Sequence, residues 1–333
     1  MSALRGARVV VLGGAGFVGS QLVRDLRDEG ATVTVFDDLS AGDAEHVGDL
    51  EDVRLVVGSI LDEAELTRVC RAARPDYLVN LVADTFVPDA YDDPRRFLRI
   101  NAEGTLNVLL AAGRLELKRM LHVSSTEVYG EVREGAADES HRLDPVNTYA
   151  VTKLAADRLC FTFHAEHGVP VLIARVFNSY GPRATHPYVI PEIISQLVRG
   201  PVVELGNVEA RRDFTYVEDT SRGLMAALTS TLPNGEAVNV GSGTSVSVRE
   251  LVELVGSICD HPAVEIRRDP ARQRRFDVHE FVCDATRLHA ATGWKPRVSL
   301  REGLERTVQA FRAAGGSWIW ERRTATAGRA RAS

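Results

Sequence analysis

Cysteine, long apolar runs and excess positive charge are all scarce in this sequence of 333 residues. The four cysteines, Cys70, Cys160, Cys259 and Cys283, form no C-x-x-C pair. Their spacing predicts neither a zinc site nor a disulfide framework, and we expect no bound metal. No apolar run reaches the length that spans a bilayer, and the formal net charge of −6 gives no electrostatic surface for nucleic acid. We therefore expect neither a membrane nor a nucleic acid as a partner.

The length and ends of the chain set further bounds. With 44% hydrophobic and 26% charged residues, the composition is typical of a soluble globular protein, large enough for two intimately joined domains. Met1 leads directly into the first apolar run, which leaves no room for a signal peptide, so we expect a cytoplasmic protein. Residues 321–333 have no apolar period and are expected to form a disordered tail.

Short apolar runs alternate with amphipathic stretches through the first half of the chain. The apolar runs predict buried parallel strands at 8–12, 32–36, 53–57, 77–82, 120–123 and 171–176. The stretches between them predict helices at 17–29, 63–73, 97–114 and 149–167. This α/β alternation predicts right-handed βαβ units and a doubly wound parallel sheet. A strand at 237–240 is expected to return to the sheet, and 246–314 is predicted to form a smaller lobe with little strand.

Three glycines, Gly13, Gly16 and Gly19, follow the first predicted strand and open the first predicted helix. Glycines there allow a tight turn and a close approach of the backbone to a ligand, and a helix N-terminus attracts a pyrophosphate. The loop, which includes Phe17 and Val18, is therefore predicted to bind a dinucleotide. The alternative is a glycine-rich turn that only closes a strand–helix corner.

Two acidic residues, Asp37 and Asp38, follow the second predicted strand. A carboxylate at this position can accept hydrogen bonds from the adenosine ribose hydroxyls. Two carboxylates would repel a 2′-phosphate, so the pair favours NAD over NADP. An aspartate that only forms a turn is the alternative interpretation of Asp37.

A tyrosine and a lysine, Tyr149 and Lys153, lie one turn apart on one face of a predicted helix. A lysine beside the phenol should favour the phenolate and lower the tyrosine pKa from its usual value of about 10, which makes a base. Ser124, Ser125, Thr126 and Glu127 follow the fifth predicted strand, at the edge where doubly wound folds bind ligands. Alone, this cluster would more often be a turn or helix cap; beside the tyrosine it is predicted to move protons.

These motifs combine with two further segments. The glycine run at 13–19, SSTEVYG at 124–130, Y-x-x-x-K at 149–153, RVFNSYGP at 175–182 and RDFTYVED at 212–219 together resemble the extended short-chain dehydrogenase/reductase family. That family contains nucleotide-sugar epimerases, 4,6-dehydratases and decarboxylases, and the similarity runs from about residue 9 to residue 311.

The resemblance implies a Rossmann-type NAD domain and a smaller C-terminal lobe that binds a nucleotide diphosphate-sugar. We place the NAD domain at 1–178, with 215–241 returning to it, and the lobe at 179–214 and 242–320. The family usually forms homodimers through two helices per subunit, here 97–114 and 149–167.

The resemblance also implies roles for individual residues. Tyr149 matches the base for the sugar 4-hydroxyl, and Lys153 matches its partner and a ligand of the nicotinamide ribose. The cofactor contacts implied elsewhere are Leu81, Val82, Ala83, Asn101 and Ser124. The substrate contacts implied are Asn178, Arg183, Arg212, Arg274 and Asp277. Arginines suit a diphosphate because the guanidinium fork pairs with it bidentately.

Within the family, Glu127 favours a 4,6-dehydratase. Oxidation of the sugar at C4 acidifies the C5 proton, which a carboxylate can then remove. Water leaves C6, and the hydride returns there to give a 4-keto-6-deoxy sugar. Thr126 departs from the dehydratase pattern because an alcohol is a far weaker acid than a carboxylic acid. The stretch 183–214 resembles dehydratases that act on UDP-N-acetylhexosamines, so a UDP-sugar is favoured.

Three alternatives stay open. A UDP-sugar 4-epimerase shares the tyrosine and the lysine. A UDP-glucuronate decarboxylase also keeps the glutamate, with Arg183 as a candidate for the hexuronate carboxylate. A non-catalytic NAD-binding scaffold is a remote alternative, because such proteins tend to lose the tyrosine or the lysine.

Overall fold

The strands and helices follow the predicted alternation. The structure, a computed structural model, describes residues 3–132, 135–274 and 276–323. In these ranges the strands are β1 (Arg8–Leu12), β2 (Thr32–Asp37), β3 (Arg54–Val57), β4 (Tyr77–Asn80), β5 (Arg119–Ser125), β6 (Val171–Val176), β7 (Asn178–Tyr180), β8 (Val202–Leu205), β9 (Arg211–Tyr216), β10 (Ala237–Val240), β11 (Ser245–Ser247), β12 (Glu265–Arg268) and β13 (Glu280–Phe281). The α-helices are α1 (Phe17–Asp28), α2 (Glu45–Gly48), α3 (Glu63–Ala73), α4 (Val87–Asp92), α5 (Pro94–Phe97), α6 (Gly104–Ala112), α7 (Thr148–His167), α8 (Val189–Leu197), α9 (Val217–Thr229), α10 (Val248–Ile258), α11 (Thr286–Thr292) and α12 (Leu300–Ala313).

A parallel sheet organises the first half of the molecule. Its seven strands within the described ranges have the order β3–β2–β1–β4–β5–β6–β10. The chain runs outward from β1 to β3 and then crosses back to β4 on the other side of β1. This reversal opens a crevice at the carboxyl ends of β1 and β4, where such folds bind ligands. The predicted Rossmann-type α/β fold is therefore confirmed.

Apolar helix faces cover both sides of the sheet. On one side, α1, α9 and α11 pack buried residues such as Leu22, Leu224 and Leu288 against the strands. On the other side, α3, α6 and α7 bury Leu66, Leu109 and their neighbours. Strands that are apolar on both faces need this double cover, and the sheet is thereby a rigid base for the residues at its carboxyl edge.

The predicted helix at 97–114 is not one continuous α-helix. It consists of the end of α5, a π-helical segment at Leu98–Glu103, and α6, which ends at Ala112. Single π-helical turns inside helices are rare and often lie at functional sites. Here the π segment contains Asn101, whose side chain holds the loop beside the crevice, as described below.

A smaller lobe packs above the carboxyl edge of the sheet. Short strands β7, β9, β11 and β13 form one sheet, and β8 pairs with β12. Helices α8, α10 and α12 enclose a separate apolar core with these strands. The prediction of little strand after residue 246 agrees with the structure, where β11, β12 and β13 have only two to four residues each. Strands this short are too brief for an alternating pattern, so their positions could not be predicted.

The C-terminal end is ordered further than expected. Residues 319–323 are helical, and Arg323 makes several hydrogen bonds, so the predicted disordered tail was wrong for 321–323. The rest of that tail, 324–333, lies outside the described residues. Of the helices in the described ranges, none combines the length and the apolar character that crossing a membrane requires.

Candidate active site

A cavity of about 650 Å³ lies between the carboxyl edge of the large sheet and the lobe. Its wall includes the glycine loop, the ends of β2, β4 and β5, the start of α7 and several residues of the lobe. Every residue predicted for the site lines this cavity except Asn101 and Arg183. The fold therefore brings together side chains that are distant in sequence.

The glycine loop fits a pyrophosphate. Gly13 has a positive φ of 79°, and a Cβ at Gly19 would lie 2.0 Å from the Gly13 carbonyl oxygen, so larger residues are excluded at both positions. Gly16, the N-cap of α1, provides no side-chain cap. The first-turn amides of Phe17, Val18 and Gly19, which lack intrahelical acceptors, are therefore available to an anion in the cavity.

Asp37 joins the glycine loop to the loop after β2. One carboxylate oxygen accepts a hydrogen bond from the Ala15 amide and the other from the Leu39 amide, both at 2.9 Å. Burial raises the pKa of Asp37 above its ordinary value, although these two bonds oppose the shift. Asp38 is turned toward Ser40, whose amide and hydroxyl donate to it. The carboxylate of Asp37 is thus fixed where the ribose of a dinucleotide would lie.

The expected effect of Lys153 on Tyr149 is wrong for this structure. Lys153 Nζ donates a 2.7 Å hydrogen bond to the Val123 carbonyl, and burial lowers the lysine pKa to about 8. Burial raises the pKa of Tyr149, while a hydrogen bond with the Ser125 hydroxyl opposes the rise. In the protein alone, therefore, desolvation decides the protonation of Tyr149, and the lysine does not.

The buried lysine makes stability depend on pH. The pKa of Lys153 is about 8 in the folded protein and 10.5 for an unfolded lysine. Between these two values the unfolded chain binds more protons than the folded protein, so the free energy of unfolding rises with pH. Lys153→Met should therefore be most stabilising, relative to wild type, below about pH 8, and this advantage should shrink by roughly 3 kcal/mol by pH 10.5. Urea unfolding of cofactor-free protein across this range measures the difference. A constant difference would contradict a depressed lysine pKa.

Glu127 is held by two partners, one for each carboxylate oxygen. Its Oε2 accepts a 2.9 Å hydrogen bond from Asn147 Nδ2, and its Oε1 lies 3.4 Å from Arg274 Nη1. Asn147 is also the N-cap of α7, because its Oδ1 accepts from the Ala150 amide. One amide side chain thus fixes both the helix that carries Tyr149 and the glutamate. Sequence analysis missed Asn147, although an asparagine just before a predicted helix is an N-cap signal.

The hydroxyls before Glu127 have different surroundings. Ser124 donates to Asp157 at 3.2 Å, and Asp157 forms a buried ion pair with Arg175. Thr126 is buried, and its hydroxyl has no hydrogen-bond partner among the described residues. A buried hydroxyl without a partner is costly, so Thr126 is the group in this cluster that a ligand would satisfy.

The lobe contributes a buried cation to the cavity. Arg212 Nη2 lies 2.6 Å from Asp277 Oδ1, and Asn207 donates to the other oxygen of Asp277 at 3.1 Å. Burial lowers the pKa of Arg212, yet a guanidinium stays charged at physiological pH. Asn178 lines the same wall and donates to the Asp213 carbonyl. This wall can hold an anionic group such as a diphosphate.

Proteins of known function are similar to this chain over nearly its whole length. The GDP-mannose 4,6 dehydratase family matches residues 10–307. A dTDP-glucose 4,6-dehydratase of Streptomyces niveus is 34% identical over 93% of this chain and 94% of its own length. The chain belongs to this family of nucleotide-sugar enzymes. The predicted resemblance to the extended short-chain dehydrogenase/reductase group is thereby confirmed.

Solved structures of the family include both reaction types. The dTDP-glucose 4,6-dehydratase of Streptomyces venezuelae, solved with NAD bound, superposes with a TM-score of 0.87 at 30% identity and covers 94% of this chain and 99% of its own. The UDP-glucose 4-epimerase of Thermotoga maritima, solved with UDP-glucose, has a TM-score of 0.86 at 31% identity and covers 92% and 99%. Backbone similarity therefore does not separate a dehydratase from an epimerase within the family.

Two predicted ligands of this family site do not reach the cavity. The Asn101 side chain accepts a hydrogen bond from the Asp84 amide and donates to the Asp84 carbonyl and to the Thr152 hydroxyl. It therefore positions the loop after β4, and its predicted contact with the cofactor stays a prediction. Arg183 donates to Ser20 and Gln21 on α1. Its backbone has a positive φ of 63°, and its guanidinium is turned toward that helix, so the substrate contact predicted for it stays a prediction that this side-chain position does not support.

Sequence analysis also missed an aromatic wall of the cavity. Phe86 stacks on His186 with ring centroids 5.8 Å apart and meets Tyr188 edge-on. The Tyr188 hydroxyl is hydrogen-bonded to that of Thr85, and burial raises its pKa to about 12. This wall joins the loop after β4 to the loop before α8. No motif marks these residues, because they come together only through tertiary packing.

Proposed function

We propose that this protein is an NAD-dependent nucleotide-diphosphate-sugar 4,6-dehydratase. The position of Glu127 carries the proposal, since this carboxylate lines the same cavity as Tyr149 and is fixed there by Asn147 and Arg274. A carboxylate beside the tyrosine base can remove a proton that an epimerase leaves in place. The carboxyl edge of the sheet and the lobe supply the two halves of the site.

The residues divide the reaction between them. Tyr149 removes the proton of the sugar 4-hydroxyl, and Glu127 removes the C5 proton, which the C4 ketone has made acidic. NAD, when bound, supplies the acceptor for the C4 hydride and the donor that returns it to C6. Ser125, which is hydrogen-bonded to Tyr149, orients the phenol, and the lobe holds the diphosphate. Lys153 is proposed to bind the nicotinamide ribose.

Thr126 requires a different route for the departing water. Because no carboxylic acid stands at that position, we propose that Glu127 also delivers the C5 proton to the C6 hydroxyl on the same side of the sugar. The C5–H and C6–O bonds break, a C5–C6 double bond forms, Glu127 becomes a carboxylate again, and water leaves. When the hydride returns to C6, C5 regains a proton that comes from solvent. The Thr126 hydroxyl, which lacks a partner among the described residues, is available to hold the C6 oxygen.

A 4-epimerase is the second candidate function. Thr126 favours it, because a threonine is not an acid for water loss, and the epimerase fold superposes almost equally well. The decarboxylase keeps the support of Glu127 only, since Arg183, its candidate carboxylate ligand, donates its hydrogen bonds to Ser20 and Gln21 on α1. Incubation with UDP-, dTDP-, GDP- and CDP-sugars, followed by mass spectrometry, tests the proposal: loss of water supports a dehydratase, and an isomer of unchanged mass supports the epimerase.

We also propose a substrate class, a location and an oligomeric state for the protein. The lobe at 179–214 and 242–320 is proposed to bind the nucleotide sugar, with a UDP-sugar favoured by the 183–214 stretch. A homodimer through the segments 97–114 and 149–167 is supported by the apolar residues that these segments expose, namely Leu98, Val151 and Phe161. The proposed location is the cytoplasm. Buried apolar surface is the usual driving force for such an interface.

The purified protein should contain NAD although none is added. A reaction that reduces and reoxidises the same cofactor has no need to release it, and Asp37 provides the ribose acceptor. The nucleotide in the supernatant of heat-denatured protein, identified by chromatography, should be NAD. Recovery of NADP, or tighter binding of NADP in a titration, would contradict the role of Asp37 and Asp38.

A further inference from the structure

The last described residues of the chain cross from the lobe to the NAD domain. We call residues 38–43, after β2, the ribose loop, and residues 317–323 the C-terminal anchor. Four consecutive carbonyls of the ribose loop accept hydrogen bonds from the single guanidinium of Arg323, at distances of 2.5–3.4 Å; they belong to Leu39, Ser40, Ala41 and Gly42. One side chain, almost 300 residues away in sequence, therefore fixes the whole loop.

The C-terminal anchor is itself firmly attached to the lobe. Trp318 is buried, and its indole donates a 3.0 Å hydrogen bond to the Pro191 carbonyl of α8. Glu321 accepts from the Ser195 hydroxyl and from Arg199, each at 2.8 Å. The anchor therefore connects α8, which also lines the cavity, to the ribose loop through hydrogen bonds at both of its ends.

The ribose loop in turn lies against the glycine loop. A Cβ at Gly42 would lie 2.7 Å from the carbonyl of Ala15, and the Asp43 amide donates to that same carbonyl. Asp38, Ser40, Ala41 and Gly42 line the cavity beside the Asp37 carboxylate. Displacing the loop would thus open the adenosine end of the cavity.

We propose that Arg323, acting through the ribose loop, holds bound NAD in its site and slows its release. The inference rests on the proposed NAD cofactor. Arg323 is a positioning residue here, because its hydrogen bonds go to the loop. A guanidinium suits the task since its five donors lie in one rigid plane, whereas an ammonium has three donors on a flexible stem.

Release of radiolabelled NAD from full-length protein, chased with excess unlabelled NAD, tests the proposal. Arg323→Ala should release the label roughly tenfold faster than wild type, the loss expected for several charge-assisted hydrogen bonds, and Arg323→Lys should be intermediate. Arg267→Ala is the control, because Arg267 pairs with Glu265 on β12 of the lobe; it should release NAD as wild type does. Turnover at saturating NAD should stay within about twofold in Arg323→Ala, since chemistry at the sugar is unaffected.

Thermal unfolding separates this role from a merely structural one. A structural role would lower the unfolding temperature equally with and without NAD, whereas the proposed role reduces the NAD-induced rise in that temperature. Equal release rates and an equal NAD-induced rise in wild type and Arg323→Ala would overturn the proposal while leaving the NAD cofactor standing. A wild-type protein that contains no NAD after purification and, once freed of nucleotide, binds no labelled NAD would overturn the cofactor and, with it, this inference.

Discussion

Tyr149→Phe will lose roughly two to four orders of magnitude in turnover, because the general base is removed. The protein should stay folded, since the phenyl ring keeps its contacts with Val87, Ala90 and Phe97, including the edge-on contact with Phe97 at 6.4 Å. It should also still contain NAD. Turnover with the substrate found in the sugar panel, together with nucleotide content and far-ultraviolet circular dichroism, measures all three properties.

Tyr216→Phe is the matched control for the loss of a tyrosine hydroxyl. Tyr216 is buried in the lobe core, where its ring lies 5.7 Å from the Arg306 guanidinium, and its loss should leave turnover near that of wild type. Wild-type turnover in Tyr149→Phe would show that the site uses another base.

Glu127→Gln should stop the reaction after the first step. Glutamine can still accept the hydrogen bond from Asn147, so the site keeps its shape, but it cannot take the C5 proton. The C4 oxidation should proceed, and reduced cofactor should accumulate, visible by its near-ultraviolet absorbance. Elimination should slow by roughly two to four orders of magnitude. In deuterium oxide, solvent deuterium should enter C5 with wild type and not with the variant.

Glu280→Gln serves as its control. Glu280 forms a comparable ion pair with Arg211 at 3.2 Å, and neither of the two residues lines the cavity, so its loss should change neither product nor label. In a 4-epimerase the hydride returns to C4 and C5 is never deprotonated. Full activity in Glu127→Gln, together with a product of unchanged mass and no C5 label, would establish the epimerase in place of the dehydratase.

Local patterns were sufficient to predict the sheet and most of the site. Strands such as β1 and β6 are continuous apolar runs, and glycine spacing marks a ligand loop wherever it follows such a strand. The directions of long side chains could not be predicted in this way. Arg183 meets Ser20 across 163 positions, and Lys153 meets the Val123 carbonyl across 30; in both cases tertiary packing selects the partner.

The ends of helices and strands, and the shortest elements, could not be predicted from local sequence patterns either. The strand β13 has two residues, and its pairing with β9 depends on where the lobe places both. The π segment at Leu98–Glu103 has the same apolar period as a helix, so its altered hydrogen bonding leaves no signal in the sequence. Asn147 was the exception, since its place before α7 could have been recognised.

The late position of β10 has a consequence for how the chain is made. The last strand of the large sheet, Ala237–Val240, pairs with β6, and β6 is complete some 60 residues earlier. During synthesis β6 therefore waits as an open edge strand, while the chain builds β7 to β9 of the lobe. Exposed strand edges are sites of aggregation, and pairings between distant segments form slowly. Fragments that end near residue 178 should be poorly soluble for this reason, and the NAD domain can be completed only once much of the lobe has been synthesised.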